Sequence, residues 1–349
     1  RTTQSRVEVG VGARHRVLEQ GRQTDVEMET GIGDDHIWQD ITLHVAPHVE
    51  YTVEKVVALY TSHDRALSEP FSEAREKALC MPEFDDMLRR HVLAWDHLWA
   101  RCDLEIGTAD RTQMVLRLHL FHLLQTVSNH SIELDVGIPA RGLHGEAYRG
   151  HIFWDETFVY PYLNLRMPEV SKSLLLYRWR RLPQARKAAH EAGYAGAMVP
   201  WQSSANGREE TQTLHLNPAS GHWLPDESHR QRHINVAVAY NIWQYYEATG
   251  DLDFLATYGA ELLFEIARFW ASIATYDRAD DRYDIRGVMG PDEYHDAYPW
   301  QEEPGLDNNA YTNVMVVWLL QRALRSVEVL PDRRRRQLLD MLDYRRGDL

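Results

Sequence analysis

Gly290-Pro291-Asp292-Glu293-Tyr294-His295 lies between two helical patterns, at 252–275 and 308–329, and its reading decides the fold. Gly and Pro interrupt helices and strands, so the stretch is a turn or loop. It belongs to a long polar segment, 276–307; two others run over 131–153 and 197–231. Long loops are uncommon in a compact helical domain unless they carry function, and catalytic groups often sit on loops held by a rigid scaffold. Helices separated by long loops on one side are the pattern of an α/α toroid with its active site at one mouth.

Outward from this loop, helices are expected near 110–130, 155–167, 168–192, 232–249, 252–275, 308–329 and 333–343. Asp110 starts the first, which puts Met114, Leu118, Phe121 and Leu124 or Gln125 on one face. Gly250 ends the helix at 232–249, and Asp251 can cap the next. Residues 1–60 read as β: Val7 to Val11 and Trp38 to Val45 alternate, and Tyr51 to Tyr60 is a β-branched run. Over 61–109 the pattern is helical, with Leu88, Val92, Trp95, Leu98 and Trp99 at helical spacing, which reads as a linker. The expected class is therefore mainly α: the end of a β domain (1–60), a helical linker (61–109) and a toroid (110–349). About seven helices fall short of the twelve in six helical hairpins. With a first residue Arg1 inside a strand and an Arg-rich end, a piece of a longer protein is expected.

The 349 residues can hold one large domain or two, and 44% hydrophobic with 26% charged content is ordinary for a globular chain. A formal charge of −14 disfavours nucleic acid and anionic membrane as partners. No apolar run is long enough for a membrane span, and no basic-then-apolar signal opens the chain. Cys80 and Cys102 read as inert thiols of a reducing cytosol. The run Arg333 to Arg336 reads as a solvated helix face.

Three loops carry chemistry. In the first, Tyr148, Arg149, Trp154 and Asp155 combine a stacking face with groups that bond sugar hydroxyls, each of which is both donor and acceptor. A salt-bridge network at a helix start, with Asp155 as its N-terminal acid, reads equally well. In the second, Trp201-Gln202 pairs an aromatic plate with an amide, though a Trp after Pro200 is also an ordinary packing residue. His215, His222, His229 and His233 follow, but His229-x-x-x-His233 has no acid between its histidines, so no metal site is expected. In the third, Glu293 is a candidate general acid, a carboxyl kept protonated by its surroundings. A capped turn with a salt-bridged Glu is the competing reading.

Taken together, several stretches resemble glycoside hydrolase family 65, the maltose, trehalose and kojibiose phosphorylases and related glucosidases. They are Ile138 to Leu143, Tyr148 to Asp155, Gly196 to Trp201, Ala239 to Tyr246, Val288 to His295 and Asn308 to Asn313. The resemblance implies an N-terminal β-sandwich, a helical linker and an (α/α)6 barrel, often in a homodimer; no metal or organic cofactor is expected, and the two cysteines point to the cytoplasm. It implies inverting cleavage of an α-linked glucose disaccharide, with Glu293 as general acid protonating the glycosidic oxygen. Trp154 and Asp155 match the glucose-holding pair, Tyr148 and Arg149 line the same pocket, and Trp201 and Gln202 face the acceptor. The nucleophile is inorganic phosphate in a phosphorylase, or water with a second carboxylate as base in a hydrolase. The family places those groups beyond residue 349. Two departures stand out: Gln202 where Glu is usual, and Asp155-Glu156-Thr157 where Asp-Thr-Glu is usual. The second moves a carboxylate by about 100° around a helix. A non-catalytic carbohydrate-binding protein on the same scaffold is the alternative.

Overall fold

A computed structural model describes residues 1–344 except 4, 35, 108, 109, 146 and 302. Glu146 of the first loop and the last five residues lie outside the described set. The chain forms two compact units, Arg1–Asp103 and Leu104–Leu349.

The first unit contains β1 (Val9–Glu19), β2 (Arg22–Gln23), β3 (Glu27–Ile32), β4 (Ile37–Thr42), β5 (Tyr51–Thr61), α1 (Pro70–Cys80) and α2 (Phe84–Cys102). One antiparallel sheet has the order β2-β1-β5, and β3 and β4 form a separate hairpin. Arg16 and Glu54 stand opposite each other in the β1–β5 ladder, and Arg16 Nε donates to Glu54 Oε1 at 2.8 Å. The other carboxylate oxygen accepts from Phe84 N at 2.9 Å, which ties the start of α2 to the sheet. Opposite-charge cross-strand pairs stabilise a sheet; here the acid also satisfies a helix N–H. Glu69 caps α1 through the N–H groups of Phe71 and Ser72. The two helices expected as a linker thus group with the strands, and the division falls between Asp103 and Leu104.

The second unit begins with α3 (Asp110–Thr126) and continues with α4 (Glu156–Arg166), α5 (Pro168–Arg180), α6 (Leu182–Glu191) and α7 (Ile234–Thr249). After α7 come the short α8 (Leu252–Phe254), a π turn at Leu255–Gly259, α9 (Ala260–Ile273), α10 (Ala310–Val329) and α11 (Asp332–Met341). The pattern at 168–192 is two helices, because Arg181 leaves helical geometry and Pro183 occupies the first turn of α6. At the end of α7, Gly250 takes φ 68°, and Asp251 Oδ1 accepts from Phe254 N at 2.8 Å. Helix α7 is buried on most of its surface and packs on α4, α5, α9 and α10, as expected of a helix apolar all round. Two hairpins interrupt the loops, β6 (Leu214–Leu216) with β7 (Trp223–Pro225) and β8 (Thr275–Asp277) with β9 (Arg282–Asp284). In the basic run, Arg334 is not fully solvated: its Nε donates to the Ala256 carbonyl at 2.6 Å. Among the described residues, no helix is long and apolar enough to cross a membrane.

Candidate active site

Backbone bonds bring the three loops together. Ile152 and Ser203 form a two-way bridge, N to O at 2.9 and 3.0 Å, which joins the first loop to the second. Met289 N donates to the Arg230 carbonyl at 3.0 Å, joining the second loop to the third. The third loop is closed on itself by Gly290 N donating to His295 O at 2.9 Å and is anchored by the bridge between Val288 and Leu306. Asn308 secures its base: its Oδ1 accepts from Ile285 N at 3.1 Å, and its Nδ2 donates to Asp284 Oδ1 at 2.7 Å.

Between the loops lies a cavity of about 580 Å³. Tyr148, Trp154, Asp155, Trp201, Gln202 and Glu293 all line it. Arg149 is not among the lining residues; its Nη2 donates to the Glu210 carbonyl at 3.3 Å. Tyr148 and Arg149 both have φ 56°, a left-handed backbone uncommon for such residues and concentrated at functional sites.

The aromatic wall is built in layers. Trp154 and Trp201 both pack against His233, with ring centres 4.9 and 5.1 Å away, and Tyr311 lies behind, 5.7 Å from His233. His233 is 1% exposed, and burial pushes its pKa down to about 4. Its neutral ring sets Nε2 at 3.1 Å from Gln231 Oε1. Asp155 is half-buried at the start of α4, and burial raises its carboxyl above the usual range. Glu156, next to it, points elsewhere: it is buried and receives Arg178 Nε at 3.0 Å. Gln202 is buried, and its Nε2 lies 2.6 Å from His151 Nδ1. That contact leaves Nδ1 as the acceptor of a neutral imidazole, and burial together with the Arg149 charge lowers the His151 pKa.

Residues beyond the sequence expectations also line the cavity, among them His215, Asp226, Glu227 and Asp296. Glu227 accepts from Arg230 Nε at 2.7 Å. The acids at 226 and 227 stand in the sequence beside Pro225, but no periodicity marks them, and only the β6–β7 hairpin turns them inward. His229, His233 and His215 have separate surroundings, and no metal-holding group of three or more His, Cys, Asp or Glu occurs among the described residues.

An aromatic-walled, carboxylate-bearing cavity of this size suits a small polyhydroxylated ligand: rings offer stacking faces and the acids accept from hydroxyls. Comparison with known proteins agrees. Residues 117–345 match the glycosyl hydrolase family 65 central catalytic domain, and residues 1–98 match the N-terminal domain of the same family. An uncharacterized glycosyl hydrolase of Mycobacterium tuberculosis is 49% identical over 345 residues, 98% of this chain and 26% of the relative. Trehalose 6-phosphate phosphorylase of Lactococcus lactis is 38% identical over 289 residues, 82% of this chain and 37% of the relative. Kojibiose phosphorylase of Thermoanaerobacter brockii is 36% identical over 288 residues, 80% and 35% of the two chains. A solved structure from the human microbiome, provisionally named a kojibiose phosphorylase, has the same fold, with a TM-score of 0.70 at 24% identity over 92% of this chain and 41% of that one. The chain thus spans 26% to 41% of the length of these proteins. With its central and N-terminal domains both matched, the chain belongs to glycosyl hydrolase family 65.

Proposed function

We propose that the protein carrying this chain cleaves the α-glucosidic bond of a glucose disaccharide of the maltose, trehalose or kojibiose type, with inversion at the anomeric carbon. Glu293 is the general acid. It protonates the glycosidic oxygen as positive charge builds on the glucosyl ring, and the nucleophile enters from the opposite face. Trp154 and Asp155 hold the glucosyl unit, with Tyr148 beside them. Trp201 and Gln202 face the acceptor sugar. Arg149 supports the loop through Glu210 rather than touching sugar. Inorganic phosphate is the co-substrate if the reaction is phosphorolysis, and water serves if it is hydrolysis. The helices belong to an (α/α)6 barrel, and the protein works as a cytoplasmic homodimer without metal or organic cofactor.

The observation that carries this reading is the convergence of Glu293, from the third loop, with Trp154, Asp155, Trp201 and Gln202, from the other two, on one cavity. The relatives named as phosphorylases of trehalose 6-phosphate and kojibiose support the reaction class. The test is a full-length protein incubated with maltose, trehalose, kojibiose and nigerose, with and without phosphate. Glucose 1-phosphate marks phosphorolysis, and free glucose without phosphate marks hydrolysis. Glu293→Gln is expected to lower turnover by about 10²–10⁴-fold with an intact fold. Near-normal turnover in that variant would remove Glu293 from the mechanism, and no product from any disaccharide would leave a carbohydrate-binding role.

A further inference from the structure

Glu209 stands outside the cavity, on the exposed side of the second loop, yet its carboxylate accepts from four donors. Oε2 accepts from Trp201 N at 2.8 Å. Oε1 accepts from Gln202 N at 3.1 Å, from Thr211 N at 3.2 Å and from Thr211 Oγ1 at 2.5 Å. Three of the four donors thus converge on Oε1 and one meets Oε2, and hydrogen bonds to an ionised acceptor are the stronger kind. All three donor residues, Trp201, Gln202 and Thr211, line the cavity.

The neighbouring backbone reinforces the same contact. Glu210 N donates to the Gln202 carbonyl at 2.9 Å, and the Glu210 carbonyl receives Arg149. On the other flank, the Ile152–Ser203 bridge joins this segment to the chain that carries Trp154 and Asp155. The Trp201–Ser203 stretch is therefore clamped between a backbone ladder on one side and a single carboxylate on the other. The ladder tolerates any side chain. The carboxylate does not: an amide in its place has one acceptor oxygen and turns an NH₂ toward an N–H donor. Burial lowers the Arg232 pKa, and the Glu209 charge offsets part of that shift.

We propose that Glu209 is a positioning residue for the acceptor sugar: its carboxylate sets the backbone of Trp201, Gln202 and Thr211 so that their side chains meet the ring. The claim rests on the reading of this cavity as a disaccharide site. Binding that depends on stacking and paired hydroxyl contacts is sensitive to sub-ångström misplacement of the wall, whereas Glu293 and Asp155 reach the cavity from other loops. Loss of Glu209 should therefore weaken sugar binding more than it slows bond cleavage.

The test uses full-length protein and whichever of maltose, trehalose, kojibiose and nigerose the wild type turns over. Glu209→Gln is expected to raise KM for that disaccharide by about tenfold, with kcat within about threefold of wild type. KM for phosphate, where phosphate is used, and the melting temperature are expected to stay near wild type. Thr211→Val removes one donor and keeps the carboxylate; it should raise KM by about two- to threefold. Unchanged KM in Glu209→Gln, or a fall in kcat at unchanged KM, overturns the proposal. If Glu209→Gln fails to fold, Glu209→Asp, which keeps the charge on a stem too short to hold the same donors, decides by the same criterion. If the wild type turns over none of the four sugars, the disaccharide reading fails instead. The positioning claim is then read from quenching of tryptophan fluorescence by the same sugars: weaker binding by Glu209→Gln supports it, and equal binding overturns it.

Discussion

Arg178 on α5 and Glu156 on α4 form an ion pair, Nη2 to Oε1 3.0 Å, with side chains only 2% and 1% exposed. Asp155 and Glu156 are adjacent in sequence but face opposite fates, one toward the cavity and one into the helix core. The carboxylate displaced by the Asp-Glu-Thr order therefore serves packing. Removing one partner of such a pair strands the other charge in a medium that cannot solvate it. Glu156→Gln is expected to lower stability by about 3–5 kcal/mol. Replacing both, with Glu156→Gln and Arg178→Met, should recover much of that loss. Urea unfolding of the single variants Glu156→Gln and Arg178→Met and of the double variant checks both statements; an additive double variant would mean the pair is not coupled.

Asp155 gives a prediction in which stability and function oppose each other. Burial raises its carboxyl above the ordinary range, so its charge is disfavoured in the folded protein. The sign follows: the unfavourable contribution is complete above the folded pKa and is relieved as pH falls through it. Asp155→Asn should raise the melting temperature of the sugar-free protein at pH 7, with the gain shrinking toward about pH 4, where the unfolded carboxyl also protonates. The same change should raise KM for the disaccharide, because a hydroxyl loses a charged acceptor. Thermal melts across pH and a kinetic assay of one variant test the two halves separately.

The helices were legible because their apolar spacing and punctuation agree: Gly250 and Asp251 end and restart the chain where the sequence says. The break at Arg181–Leu182 was hidden because Pro183 sits where a helix start tolerates it. Strand β1 runs to Glu19, beyond the alternating Val7 to Val11 segment. Its Arg14-His15-Arg16 stretch looks solvent-bound until Glu54 is set opposite it. Short hairpins such as β6–β7 have too few residues for any periodicity. At the site, motif chemistry pointed to the lining residues on all three loops, but Arg149 faces the Glu210 carbonyl, a contact 61 positions away. Glu209 and Glu227 gave no signal at all, since an acid in a polar loop shows its role only through the donors that fold against it.

Gly196 and Gly250 allow a controlled comparison of strain. Both have a left-handed backbone, φ 70° and 68°. A Cβ at Gly196 would fall 2.2 Å from the Glu265 carbonyl oxygen, whereas one at Gly250 meets nothing within 4 Å. Gly250→Ala should cost about 1–2 kcal/mol, the left-handed penalty alone. Gly196→Ala should cost that plus a further 1–3 kcal/mol or so for overpacking against α9, and should disturb Trp201 downstream. Equal losses in urea unfolding would show that α9 yields to the added methyl group.

His233 sets the expected acid limb of stability. Its pKa falls from 6.5 to about 4 through burial, and its neutral ring is held among Trp154, Trp201 and Tyr311. Above pH 6.5 neither the folded nor the unfolded form takes up a proton here, so the full contribution is present. Between pH 6.5 and 4 the unfolded chain binds a proton that the folded ring refuses, and stability falls by about 1.4 kcal/mol per pH unit. The total is about 3 kcal/mol, and the loss levels off below the folded pKa, where the ring itself protonates. His233→Phe keeps an aromatic ring against both tryptophans and removes the titration. The difference between wild-type and variant unfolding free energies should therefore be flat above pH 6.5 and slope downward below it. Parallel curves over the whole range would show that the buried ring is protonated as readily as in the unfolded chain, and that the wall behind Trp154 and Trp201 is open to water.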